Sequence, residues 1–172
     1  MIAKSLDVVV WLKLLSSDSG KTFAQLSNEL GMSASEIHGS VKRGTVAGLI
    51  DPKSRRPLRK PLEEYLLYGV RYAFPAKRGS ITRGIPTSYA APPLTKYFRT
   101  SDELPPVWPD PEGPKRGYAL EPLFQPIGKA VRQDPKLYAL LALIDAIRDG
   151  RARERKLAED ELRSLIANAY AG

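Results

Sequence analysis

The chain has 172 residues, 42% of them hydrophobic, with 27 Lys and Arg against 19 Asp and Glu and no cysteine. Its apolar content excludes global disorder, and its length suits one well-packed domain with appendages or two small domains. A chain without cysteine has no disulfide and no thiolate metal site, which fits a reducing cytosol, so a cytoplasmic protein is expected.

Residues 5–15 read as a first helix, apolar nearly all round and therefore mostly buried. Its run Val8–Leu15 is too short to span a bilayer, and no small-residue cleavage pattern follows it, so neither a membrane segment nor a signal peptide is expected. After the break at Ser17-Asp18-Ser19-Gly20, Thr22 with Gln25 forms a capping box that opens a second helix with Phe23, Leu26 and Leu30 inward and Gly31 at its end. Ser33 with Glu36 forms a second capping box, opening a third helix over 34–47 with Gly48 as its stop. Leu49-Ile50 is a short strand candidate, 51–57 a basic loop, and 58–68 a fourth helix carrying Leu62, Tyr65, Leu66 and Leu67. The segments 70–74 and 85–89 flank Lys77-Arg78-Gly79-Ser80-Ile81-Thr82-Arg83-Gly84 and read as a β-hairpin with a long basic tip.

Ten of the fifteen prolines lie between Pro86 and Pro126. That stretch is expected to run extended over the surface, with Tyr97, Phe98, Val107 and Trp108 packed against the rest. Asp134 as a cap and Pro135 at the first helical position open a helix over 136–148 that is apolar on nearly every side. After Gly150, residues 151–170 read as an amphipathic helix with Ala158, Leu162, Leu165, Ile166 and Ala169 on one face.

Charge is spread unevenly over these elements. Residues 51–100 hold eleven Lys and Arg against three Asp and Glu, a net +8, whereas 1–50 carry +1 and 101–172 carry −1. Positive charge this concentrated marks contact with a polyanion, because each neutralised phosphate releases condensed counterions. On the third helix, 100° per residue puts Ala34, Ile37, Val41, Gly44, Thr45 and Gly48 inward. Ser35, Glu36, Gly39, Lys42, Arg43 and Val46 then face outward, a polar surface with two cations suited to a DNA groove and to guanine O6/N7.

The helix–turn–helix, joined by Gly31-Met32-Ser33, resembles the winged-helix domains of bacterial transcriptional regulators, broadly of the MarR type. The likeness covers 5–50 and extends to the hairpin at 70–90. It implies that the third helix lies in the major groove of double-stranded DNA and that a β-hairpin wing touches the flanking backbone. The wing is 51–60, 71–89 or both, because a loop and a helix intervene before the obvious hairpin. Ser35, Glu36, Gly39, Lys42 and Arg43 are the recognition-helix candidates. Lys53, Arg55, Arg56, Arg59, Lys60, Arg71, Lys77, Arg78 and Arg83 are the backbone candidates.

The expected fold is α+β, mainly α with a small β-hairpin. A winged helix-turn-helix spans 1–90, an extended segment packs on it over 91–133, and a helical pair over 134–172 offers a dimer interface. Small winged-helix antitoxins are a second resemblance, and they imply a protein partner such as a toxin. A module docking an acidic protein is thus the alternative to a DNA-binding regulator. No catalytic constellation, cofactor or metal site is expected. Ser19-Gly20-Lys21-Thr22 imitates a phosphate-binding loop, but Leu15 stands where that pattern needs glycine. His38 has no partner that would make it a general base. Glu63-Glu64 and Glu159-Asp160-Glu161 read as solvated helix faces.

Overall fold

The computed structural model describes residues 2–99 and 103–169, and eight α-helices and three β-strands form among them. α1 (Ser5–Ser16) is the buried helix that its composition predicts, with Val8, Val9, Val10, Trp11 and Leu12 fully enclosed. Burying an all-round apolar helix also encloses its two charges, which must then be paired. Asp7 meets Arg43, and Lys13 Nζ lies 2.7 Å from Asp134 and 3.1 Å from Glu29.

α2 (Phe23–Leu30) and α3 (Ala34–Val46) open from both capping boxes. Thr22 Oγ1 accepts the Gln25 N–H and Ser33 Oγ the Glu36 N–H, each at 3.1 Å. Gly31, at φ 71°, closes α2 in the left-handed region where glycine carries no penalty. α3 lies directly on α1: the Trp11 indole N–H donates to the Ser40 carbonyl at 3.0 Å. At Gly44 a Cβ would stand 2.5 Å from Ile50 Cγ1 and 2.7 Å from Trp11 Nε1, so only glycine permits this approach. Ile37, Val41 and Gly44 face inward as the periodicity predicts. Ala34 and Gly48, placed on the same face, are exposed because burial starts at Ile37 and ends at Gly44.

α4 (Arg59–Tyr68) forms as expected, but the hairpin does not. Residues 70–73 are a short helix, α5 (Val70–Ala73), whose Val70 is fully buried. The strand partners come instead from the proline-rich segment. β1 (Arg78–Pro86) pairs antiparallel with both β2 (Pro106–Pro109) and β3 (Lys115–Leu120), and β2 pairs parallel with β3, closing a three-strand barrel. Prolines stand at both ends of β2, where a missing amide is tolerated, and its interior Val107 and Trp108 are buried. The expected basic hairpin tip is therefore the body of a strand.

α6 (Gly128–Arg132), α7 (Pro135–Asp149) and α8 (Ala152–Asn168) complete the chain, and Tyr170, the predicted end of the last helix, lies outside the described residues. Every residue from Leu140 to Ile147 is buried within the chain, with α1, α5, α6, α8 and the turn at Ser88–Ala90 packed around α7. The fold itself thus covers the run from Leu140 to Ile147, part of which the homodimer expectation assigned to a second subunit. One continuous cluster of buried side chains runs from Val8 to Ile166.

A polar knot fixes the sheet to α7. The buried Asp145 carboxylate accepts from Thr87 Oγ1 and Trp108 Nε1, each at 2.7 Å, and pairs with Arg148 at 2.8 Å. Arg148 in turn donates to the Phe74 carbonyl at 2.8 Å. No helix among the described residues is long and apolar enough to cross a membrane.

Candidate nucleic-acid interface

Directly after α3, Gly48 at φ 77° turns the chain into a tight hairpin. Ile50 bridges Pro57 antiparallel, the Leu58 N–H donates to Leu49 O at 2.8 Å, and the Asp51 N–H donates to Arg56 O at 2.9 Å. Asp51 also accepts the Ser54 N–H at 2.7 Å, which rigidifies the tip and draws its carboxyl below the ordinary aspartate value. Of the candidate wings, 51–60 is thus the one that adjoins α3, with a hairpin formed by its residues 51–57.

This hairpin is tied to both helices of the helix–turn–helix by a cation–π contact and an edge-on ring pair. The Arg55 guanidinium lies 4.8 Å from the Phe23 ring centroid, and Phe23 meets the His38 ring edge-on at 5.7 Å. Arg55 holds this position at φ 59°, a left-handed conformation that a non-glycine residue keeps only when its surroundings enforce it. Lys53 and Arg55 are both exposed on the hairpin.

On α3 itself the outward candidates divide. Ser35 and Lys42 are exposed, as is Val46 beside them. Among the described residues neither Ser35 nor Lys42 has a side-chain partner. Glu36 is exposed, but its carboxylate accepts the Ser33 N–H at 2.9 Å as part of the helix cap. Arg43 is a correction to the sequence reading. Its Nε and Nη2 donate to the two carboxylate oxygens of Asp7 at 2.7 and 2.8 Å, and Asp7 has no exposed surface. That bond raises the guanidinium further above its ordinary value. The arginine lies back across Gly39, where a Cβ would meet Arg43 Nη1 at 3.1 Å. Arg43 therefore anchors α3 to α1, and Gly39 makes room for it.

The basic block is dispersed by the fold. Lys60 pairs with Glu63, Lys77 with Glu121, Arg78 with Asp149 and Lys96 with Glu161. Three of those four carboxylates belong to residues 101–172, so the +8 of the middle segment is partly answered by charges distant in sequence. Arg56 reaches the Ser17 carbonyl, Arg59 donates to Ala167 O at 2.8 Å, and Arg71 stacks on Tyr72. Arg56 and Arg59 thus tie separate elements together, whereas Arg71 covers its own neighbour in α5. Arg83 is exposed on β1, next to Lys115 and Arg116 of β3, which the sequence reading missed. Tyr118 is the one strong strand former in Lys115–Leu120, and the surrounding prolines hid that weak signal.

Lys21, in the loop-like motif before α2, binds Glu29 at 2.7 Å while Thr22 caps the helix, so this segment is a turn and a cap. Among the described residues no group of three or more His, Cys, Asp or Glu stands ready to hold a metal ion. No protein-family model, curated protein or solved structure matches this chain.

Proposed function

We propose that this chain is a double-stranded DNA-binding protein that acts as a sequence-specific transcriptional regulator, with α3 entering the major groove and the 51–57 hairpin gripping the adjacent backbone. The observation that carries this reading is the exposed polar face of α3, Ser35 and Lys42, set beside a rigid hairpin bearing Lys53 and Arg55. Anchoring supports it as well. Asp7–Arg43, Trp11–Ser40 and the close approach at Gly44 immobilise the helix on the core, so groove entry costs little ordering entropy.

In this arrangement Lys42 and Ser35 contact base edges, while Lys53 and Arg55 contact phosphates. Anisotropy titrations with duplex from upstream of the chain's own gene, and with a shuffled duplex, test it. Lys42→Ala lowers discrimination between the two by about 1–3 kcal/mol, whereas Lys53→Ala/Arg55→Ala weakens both alike. The three cations brought to the duplex, Lys42 in the groove and Lys53 and Arg55 on the backbone, make log K fall with log[salt] at a slope of about −3. Absence of binding to either duplex at low salt refutes the proposal.

A further inference from the structure

The β1–β3 register sets Arg83 directly across from Arg116, with Lys115 opposite the next residue, Gly84. Directly opposed residues on antiparallel strands point to the same face, and like charges there destabilise the pair. All three cations are exposed. Among the described residues none has a carboxylate within ion-pair distance, and the Arg83 guanidinium donates only to the Gly113 carbonyl, at 3.1 Å. The two neighbouring carboxylates are held elsewhere: Arg132 lies 2.8 Å from Asp110 and 4.0 Å from Glu112.

The backbone beneath is closely packed. A Cβ on Gly84 would strike the Trp108 carbonyl, one on Gly113 the Gly84 backbone, and one on Gly117 the Pro105 carbonyl. The glycines keep the face they share closely packed, with Lys115 standing exposed at its edge, while Arg83 and Arg116 occupy the opposite face.

Contacts connect this end to the helix–turn–helix. The Asp110 N–H donates to Arg83 O at 3.0 Å, and Asp110 reaches Arg132 of α6. In the same helix the stem of exposed Lys129 lies against Gly31, at the turn between α2 and α3.

We propose that the β1–β3 strand end, through Arg83, Lys115 and Arg116, is a second, sequence-independent contact to the sugar-phosphate backbone of the duplex held by α3. This rests on the duplex-binding reading and extends its footprint beyond the 51–57 hairpin. The two guanidiniums and the ammonium gain what the fold withholds from them, an anionic partner, and binding releases the counterions they would otherwise condense.

The test compares Arg83→Ala/Lys115→Ala/Arg116→Ala and the charge-keeping Arg83→Lys/Arg116→Lys with the intact chain. Each is titrated on 30-base-pair and 12-base-pair duplexes across a salt series, with unfolding midpoints measured alongside. The intact chain gives a slope of about −5 to −6 on the long duplex, the triple variant about −3, and the lysine variant the intact value. The triple variant weakens unrelated sequences alike and binds both duplex lengths equally, and its midpoint is unchanged or higher because like-charge repulsion is relieved.

A triple variant with the intact slope and affinity overturns the strand-end contact, and if Lys53→Ala/Arg55→Ala still weakens binding, the α3 reading survives. No duplex binding by the intact chain overturns both. Tighter binding of the strand end to poly-glutamate than to duplex assigns it to an acidic protein and overturns the proposal.

Discussion

Arg43→Ala separates two roles for one residue. If Arg43 read a base, its loss would reduce sequence discrimination and leave folding intact. In the structure it neutralises Asp7, which is fully buried and, among the described residues, keeps one other close donor, the Lys4 N–H at 2.8 Å. Removing one partner of a buried pair leaves an uncompensated charge, at a cost of about 3–5 kcal/mol. The arginine side chain is itself 15% exposed, so water can reach the vacated space, and the lower end, about 3 kcal/mol, is expected. For a chain of this size that lowers Tm by about 6–12 °C. Asp7→Ala is milder, because the freed guanidinium swings into solvent. The cycle with the double variant gives a coupling of about 2 kcal/mol, within the range for residues in direct contact. Urea and thermal unfolding of the four proteins measure this. An Arg43→Ala protein that melts with the parent yet no longer distinguishes two duplexes would refute the anchoring role.

Asp145→Ala strands Arg148, whose side chain is 4% exposed, along with the Trp108 indole N–H and the Thr87 hydroxyl, and costs about 3–5 kcal/mol in chemical unfolding. A loss under about 1 kcal/mol would mean that water replaces the carboxylate there. Acid weakens the fold through other carboxyls. The Lys21 hydrogen bond holds Glu29 below its ordinary value of 4.5, and the Arg132 bond holds Asp110 below 3.8. Depressed carboxyl pKa values contribute stability that is complete above those ordinary values and is lost as pH falls through the lower folded ones. Asp145 runs the other way: burial raises it, so its contribution is largest in acid and declines as pH rises above 3.8. Unfolding midpoints from pH 3 to 8 should fall below about pH 4.5, and Glu29→Gln should flatten part of that fall. A Glu29→Gln protein whose acid profile matches the parent's contradicts the Lys21–Glu29 pair.

The three N-terminal helices were legible because their signals are local. Thr22/Gln25 and Ser33/Glu36 bond within four residues, and Gly31 and Gly48 take the left-handed turns that glycine favours. Asp134 with Pro135 announces α7 for the same reason. The hairpin reading failed because a strand is defined by its partner. Nothing near 70–74 says that β1 pairs instead with Trp108 and Tyr118 across a proline-rich segment.

Charge divides along the same line. Composition alone determines that the middle of the chain is basic and that α3 carries Lys42 and Arg43. Only the tertiary structure decides which cations remain available, since ion pairing depends on separation in space. Asp7 lies 36 residues before Arg43 and Asp149 71 residues after Arg78, yet each pair is in contact, whereas Arg83 and Arg116 are brought together with no carboxylate between them.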